Sequence, residues 1–121
     1  STEANNYIRE LQIKLEKKDF EISKQYYTIR DYKAAISSLD NFISNFPGTP
    51  YKENALYYKF ISQYEIATNS VPSKRLERLE VAKDTYEAIL RYYPESLFME
   101  DISEKLDEIQ KQIKKIKENN T

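Results

Sequence analysis

The sequence predicts an all-α stack of antiparallel helical hairpins, and three observations carry that reading. Apolar residues recur every three or four positions almost end to end, and no stretch alternates with the period of two that a half-buried strand requires. Strong turn signals are confined to Pro47-Gly48-Thr49-Pro50, Asn69-Ser70-Val71-Pro72 and Pro94-Glu95-Ser96. Two proline-terminated segments also match one another at a constant spacing of about 47 residues.

Residues 3–30 contain no Gly or Pro, and Ala4, Ile8, Leu11, Leu15, Ile22, Tyr26 and Ile29 form a stripe broken near Lys17-Lys18-Asp19, with Phe20 just beyond. This span reads as one long helix or two nearly collinear ones. Residues 31–47 form the next helix, capped by Asp31 and striped by Tyr32, Ala35, Ile36, Leu39, Phe42, Ile43 and Phe46. A longer repeat follows at residues 50–94. Thr49 is expected to cap its first helix, with Pro50 at a position where the missing N–H costs nothing. That helix, about Tyr51 to Thr68, carries two stripes: Leu56, Phe60 and Ala67 on one line, Tyr57, Ile61 and Tyr64 on its neighbour. So wide an apolar arc predicts packing between two other helices. Ser73 is expected to cap the next helix, which Pro94 stops, and Ser96 to cap a final helix over residues 96–118. The chain, residues 1–121, thus reads as a single α-solenoid fragment.

The internal match aligns Ala35 with Ala82, Phe46 with Tyr93, Pro47 with Pro94, Thr49 with Ser96 and Tyr51 with Phe98. The small residue lets a paired helix approach, and the proline ends the hairpin so that the chain turns into the next repeat. That order resembles the tetratricopeptide repeat, lengthened from its period of about 34 residues by a long third helix and the Asn69–Pro72 loop. Arg30 stands where glycine is common at the turn within a hairpin, which predicts a looser turn there.

Composition narrows the function classes. Of 121 residues 32% are charged, yet 19 Lys+Arg nearly cancel 20 Asp+Glu, which argues against a bulk polyanion such as nucleic acid as partner. With no His and no Cys there is no His-activated nucleophile and no usual zinc site. A single glycine, Gly48, cannot build a phosphate-cradling loop. No cofactor is expected. The pairs Asp84/Glu87 and Glu104 with Asp107 or Glu108 share helix faces but look like solvated ion-pair surface, so an enzyme is not predicted. No apolar run approaches the ~18 residues of a membrane span. The chain begins Ser-Thr-Glu, which suggests a processed or truncated product whose targeting segment lies upstream.

Candidate contact residues come from two features. Tyrosines are abundant, 11 in all, and six of them fall in the adjacent pairs Tyr26-Tyr27, Tyr57-Tyr58 and Tyr92-Tyr93. Helical neighbours lie ~100° apart, so one ring of each pair can face the core while the other borders solvent. Tyr27, Tyr57 and Tyr92 are the expected outward rings. Lys74, Arg75 and Arg78 form a basic cluster suited to an acidic partner surface. In the last helix Ile102, Leu106, Ile109, Ile113 and Ile116 make a heptad seam that either caps the solenoid or runs past it to bind a partner.

Taken together, the segment from Tyr26 to Ala35 and the P-x-T and P-x-S turns resemble the C-terminal half of the BamD family, most closely its Bacteroidota versions. The likeness covers nearly the whole chain. It implies a lipoprotein of the β-barrel assembly machinery, held at the periplasmic face of the outer membrane by a lipid anchor upstream of Ser1. Its C-terminal repeats would dock the periplasmic POTRA region of the barrel-forming subunit, and unfolded outer-membrane precursors are further implied partners. The alternative is a tetratricopeptide adaptor of another envelope or secretion pathway that binds an extended peptide.

Overall fold

A computed structural model of the chain describes residues 1–120. Among these there are five α-helices and no strand: α1 (Thr2–Thr28), α2 (Tyr32–Asn45), α3 (Lys52–Thr68), α4 (Pro72–Tyr92) and α5 (Met99–Asn119). α1 pairs with α2 and α3 with α4, while α5 packs on α4 and α3. The odd-numbered helices form one layer, with α3 touching both α1 and α5. α2 and α4 both lie on α3 but not on each other. This is the tetratricopeptide-like arrangement that the sequence predicts.

The first helix is unbroken, and the hydroxyl of Ser1 caps it by accepting from the Ala4 N–H at 3.2 Å. Its buried face is not the expected stripe. Phe20 and Ser23 are buried and Tyr27 partly so, whereas Ile8, Leu11, Leu15, Ile22, Tyr26 and Ile29 are exposed. The reason is length and register. The 14-residue α2 flanks only the C-terminal half of the 27-residue α1, and there the line Phe20–Ser23–Tyr27, not Ile22–Tyr26–Ile29, faces it. At the closest approach Ser23 Oγ lies 2.6 Å from Ser38 Oγ, beside the fully buried Ala35.

The turn out of α1 is tighter than the sequence led us to expect. Asp31 N–H donates to Tyr26 O at 2.9 Å and Arg30 N–H to Tyr27 O at 3.0 Å, the paired bonds of a Schellman motif. Arg30 supplies its left-handed residue with φ of 65°, alone among the described non-glycine residues. An arginine there crowds its Cβ against the backbone, at a cost of roughly 1–2 kcal/mol. Arg30→Gly is therefore expected to stabilise the chain by about 0.5–1 kcal/mol, part of the relief being lost to the freer unfolded chain. Urea unfolding of the two proteins checks this, and a lower midpoint for the glycine variant would refute it.

The internal repeat is present at the level of individual hydrogen bonds. Phe46 and Tyr93 end their helices with almost the same backbone, φ −130° ψ 68° and φ −138° ψ 64°, outside the helical region that a following proline disfavours. Thr49 N–H then donates to Phe46 O, and Ser96 N–H to Tyr93 O, each at 3.0 Å. The hydroxyls of Thr49 and Ser96 accept from Tyr51 N–H and Phe98 N–H, each at 3.1 Å. These hydroxyls therefore close a tight turn ahead of the helix instead of capping its first turn. The caps proper are Tyr51 and Phe98, which use no side-chain bond. Ser73 is no cap either. Pro72 already occupies the first helical position of α4, behind an extended Val71.

Two apolar clusters merge along α3. One gathers Phe20, Ala35, Leu39, Phe42 and Ala55. The other gathers Leu56, Phe60, Ile61, Ala67, Leu79, Ala82, Ile89, Ile102 and Ile109. The wide apolar arc of α3 thus meets neighbours on every side. In α5, Ile102, Leu106 and Ile109 are buried and Ile113 and Ile116 pack partly against the same cluster. Lys117, near its end, is 3.7 Å from Glu80 of α4, so α5 follows α4 along its length and does not leave the stack.

Candidate protein-docking surface

The odd-helix layer is stitched by aromatic rings. Phe20 stacks on Tyr51 at 4.7 Å and meets Tyr58 at 6.3 Å, Tyr58 meets Tyr27 at 4.6 Å and Tyr57 at 5.5 Å, and Tyr57 stacks on Phe98 at 4.2 Å. The series crosses from α1 through α3 to the start of α5. Two of the three tyrosines singled out by the sequence, Tyr27 and Tyr57, are members of it. Both are partly buried and packed against the core, so their rings hold helices together along this margin.

Tyr57 has a second attachment. Its hydroxyl donates to Asp101 Oδ2 at 2.6 Å, and Lys105 Nζ donates to Asp101 Oδ1 at 3.2 Å. The Tyr57 bond, aided by Lys105 and opposed by partial burial, holds the Asp101 carboxyl below the usual carboxylate range. Burial, and then the same bond, raises the Tyr57 phenol above its ordinary value. The signs follow. A lowered acid stabilises the fold above the unfolded Asp value of about 4 and ceases to as pH falls through the folded one. A raised phenol stabilises it up to about pH 10 and ceases to as pH climbs further. A hydrogen bond to a charged acceptor contributes roughly 1.5–3 kcal/mol when dry. Asp101 is partly exposed, so Tyr57→Phe is expected to cost about 1 kcal/mol at neutral pH. Urea titrations at pH 7 and pH 3 check it: the gap between the two proteins should narrow in acid, and a pH-independent gap would rule out the ionic bond.

Tyr92 lies elsewhere, at the outer corner where α4 turns into α5. Its ring is 56% exposed, with Lys52 Nζ 4.5 Å from the ring centre. Beside Lys52, the carboxylate of Glu53 reaches across to the turn. Its Oε2 accepts from Ser96 Oγ at 2.7 Å and from Leu97 N–H at 3.0 Å. These bonds fix the backbone of Leu97, whose side chain is 91% exposed, the highest value among the large apolar residues described. Leu90 is exposed as well, at 43%. An apolar side chain and an aromatic ring are thus held out to solvent on a rigid turn, flanked by a cation. Sequence reading picked out Tyr92 and missed Leu97 and Glu53. The sign that was available is the repeat itself: Leu97 occupies the position that Pro50 holds in the first copy.

The basic cluster is divided in its duties. Arg75 Nη2 donates to Ser70 O at 2.7 Å, and Arg78 Nη1 to Ser70 Oγ at 2.8 Å. The Ser70 hydroxyl donates in turn to Ile66 O at 2.6 Å. Arg75 and Arg78 therefore fasten the α3–α4 loop, and both are partly buried, whereas Lys74 is exposed.

Asp84, Glu87, Glu104, Asp107 and Glu108 are all exposed, so none shares the dry cleft that general acid–base chemistry needs. No group of side chains among the described residues is placed to hold a metal ion. Compared with known families, the chain matches the model of YfiO, described as an outer membrane lipoprotein, over residues 5–117. No curated protein matches it.

Proposed function

Because the chain belongs to the YfiO (BamD) family of outer membrane lipoproteins, non-enzymatic components of outer-membrane protein assembly, we propose that it docks the POTRA region of the barrel-forming subunit. The corner formed by Tyr92, Leu97 and Lys52 is the contact point. The observation that carries this reading is the 91% exposure of a leucine whose backbone is pinned by Glu53. A large apolar side chain on an immobilised turn has little conformational freedom left to lose on binding, which favours an interface anchor. Tyr92 adds an amphipathic ring of the kind enriched at interfaces. Tyr27 and Tyr57 serve the docking surface indirectly, by keeping α1, α3 and α5 in register. Lys74, Arg75 and Arg78 lie on the α3–α4 loop and the start of α4, and contribute a positive field there.

In this reading the protein works at the periplasmic face of the outer membrane, attached by a lipid anchor outside residues 1–121. No helix among the described residues is long and apolar enough to cross a membrane. The test is retention of the purified POTRA region of the cognate barrel subunit on immobilised chain. Retention that is lost on Tyr92→Ala together with Leu97→Ala supports docking at this corner, and no retention by the unmodified chain refutes the docking role.

A further inference from the structure

On the other side of the molecule, α2 and α4 stand apart over α3 and leave a cleft of about 380 Å³. Its walls carry Ile36 of α2, Ile66 of α3 and Val81 of α4, with Lys74, Glu77 and Arg78 along one rim. Gln63 of α3 also lines it. That side chain is more than nine-tenths buried, yet its amide oxygen accepts a hydrogen bond from no described residue. A buried acceptor left unmatched is costly, and native structures contain few of them. This oxygen is itself closed to solvent, and a half-turn of the amide about its last bond, exchanging oxygen and nitrogen, brings it to the cleft to be satisfied by an incoming N–H.

We propose that this cleft is a binding site for a short acidic peptide segment with an apolar side chain at its centre. The apolar walls take the central side chain, the Gln63 oxygen, once its amide has turned toward the cleft, accepts a peptide N–H, and flanking carboxylates meet Lys74 and Arg78. The rim holds two cations against the one anion Glu77, so the charge selects an acidic occupant over a basic one. Arg78 is fixed by its bond to Ser70 and needs no reordering to present its charge. The site is remote from the α4–α5 turn and does not depend on how that corner is used.

Fluorescence anisotropy of a fluorescein-labelled pentapeptide amide, a leucine flanked by two glutamates on each side, tests the assignment on the full chain. Saturable binding is expected, weakening with added salt as screening requires. The counterpart with lysines in place of the glutamates should not bind. Lys74 is exposed, so Lys74→Glu leaves the fold intact and should weaken binding about fivefold, the scale of an exposed charge contact reversed in sign. Gln63→Leu gives the distinguishing pair of readings: a raised Tm, because an unmatched acceptor is removed, together with weaker peptide binding. Equal binding of the acidic and basic peptides, binding indifferent to Lys74→Glu, or no binding of the acidic peptide would each overturn the proposal.

Discussion

Leu97→Asp is expected to leave the thermal unfolding of the chain unchanged and, on the docking proposed for this corner, to weaken sharply its capture of the POTRA region. The first half follows from exposure. A side chain 91% open to solvent has no packing to lose, and substitutions of this kind usually shift stability by less than about 0.5 kcal/mol. The backbone bond from Leu97 N–H to Glu53 survives the change, although a new carboxylate near Glu53 introduces mild repulsion. The second half follows from burial on docking. Covering a leucine side chain is worth about 1.5–3 kcal/mol, and a carboxylate in its place adds a desolvation cost. A loss of at least about 2 kcal/mol corresponds to roughly 30-fold in Kd. Isothermal titration with the POTRA region, alongside thermal melts of both proteins, measures the two halves separately. Unaltered affinity would remove Leu97 from the interface. Glu53→Gln is the companion variant: it keeps the leucine but weakens its mooring, and should reduce affinity less than Leu97→Asp.

Phe60→Ala is expected to cost about 3–5 kcal/mol, the usual range for emptying a buried aromatic site. Phe60 is fully buried in the middle of α3, the helix that touches all four others. No neighbour can close the void without pulling two hairpins out of register. Against a total stability of roughly 5–15 kcal/mol for a domain, that loss brings the chain close to unfolding. The urea midpoint should drop steeply with little change in slope. Leu11→Ala is the control. Leu11 is also a large apolar residue on a helical stripe, but it is 47% exposed in the half of α1 that α2 does not reach, and should change stability by less than about 0.5 kcal/mol. Similar losses for both would contradict the division of α1 into packed and unpacked halves.

The contrast between Phe60 and Leu11 marks how far sequence pattern reaches. Both occupy apolar stripes at helical spacing, so periodicity treats them alike. It identifies a helix and offers faces that are fit for burial, but not which face receives a neighbour. In α1, two apolar lines run side by side, Ile22–Tyr26–Ile29 and Phe20–Tyr27, and only the register of α2 decides between them. Capping shows a similar limit. Thr49 and Ser96 are residue types suited to a cap, and both do bind a backbone N–H, but the chain closes a turn around them before the helix begins. Arg30 shows that a tight turn persists without glycine when the surrounding hydrogen bonds outweigh the local strain.

Sequence alone determined the fold class, the places where the hairpins end, the two-copy repeat and the family resemblance. Those properties are local: spacing along a helix, prolines that restrict their predecessors, and residue types at fixed offsets. The exposed corner and the cleft over α3 were decided by tertiary structure. Leu97 is held out to solvent because Glu53, 44 positions earlier, accepts its N–H, and the Gln63 oxygen goes unmatched because the surrounding packing shuts it from solvent without bringing it a donor. Tyr57 likewise turns inward to bind Asp101 across the same separation. Such pairings depend on the angle and spacing at which whole helices pack, and no short-range pattern in the chain encodes them.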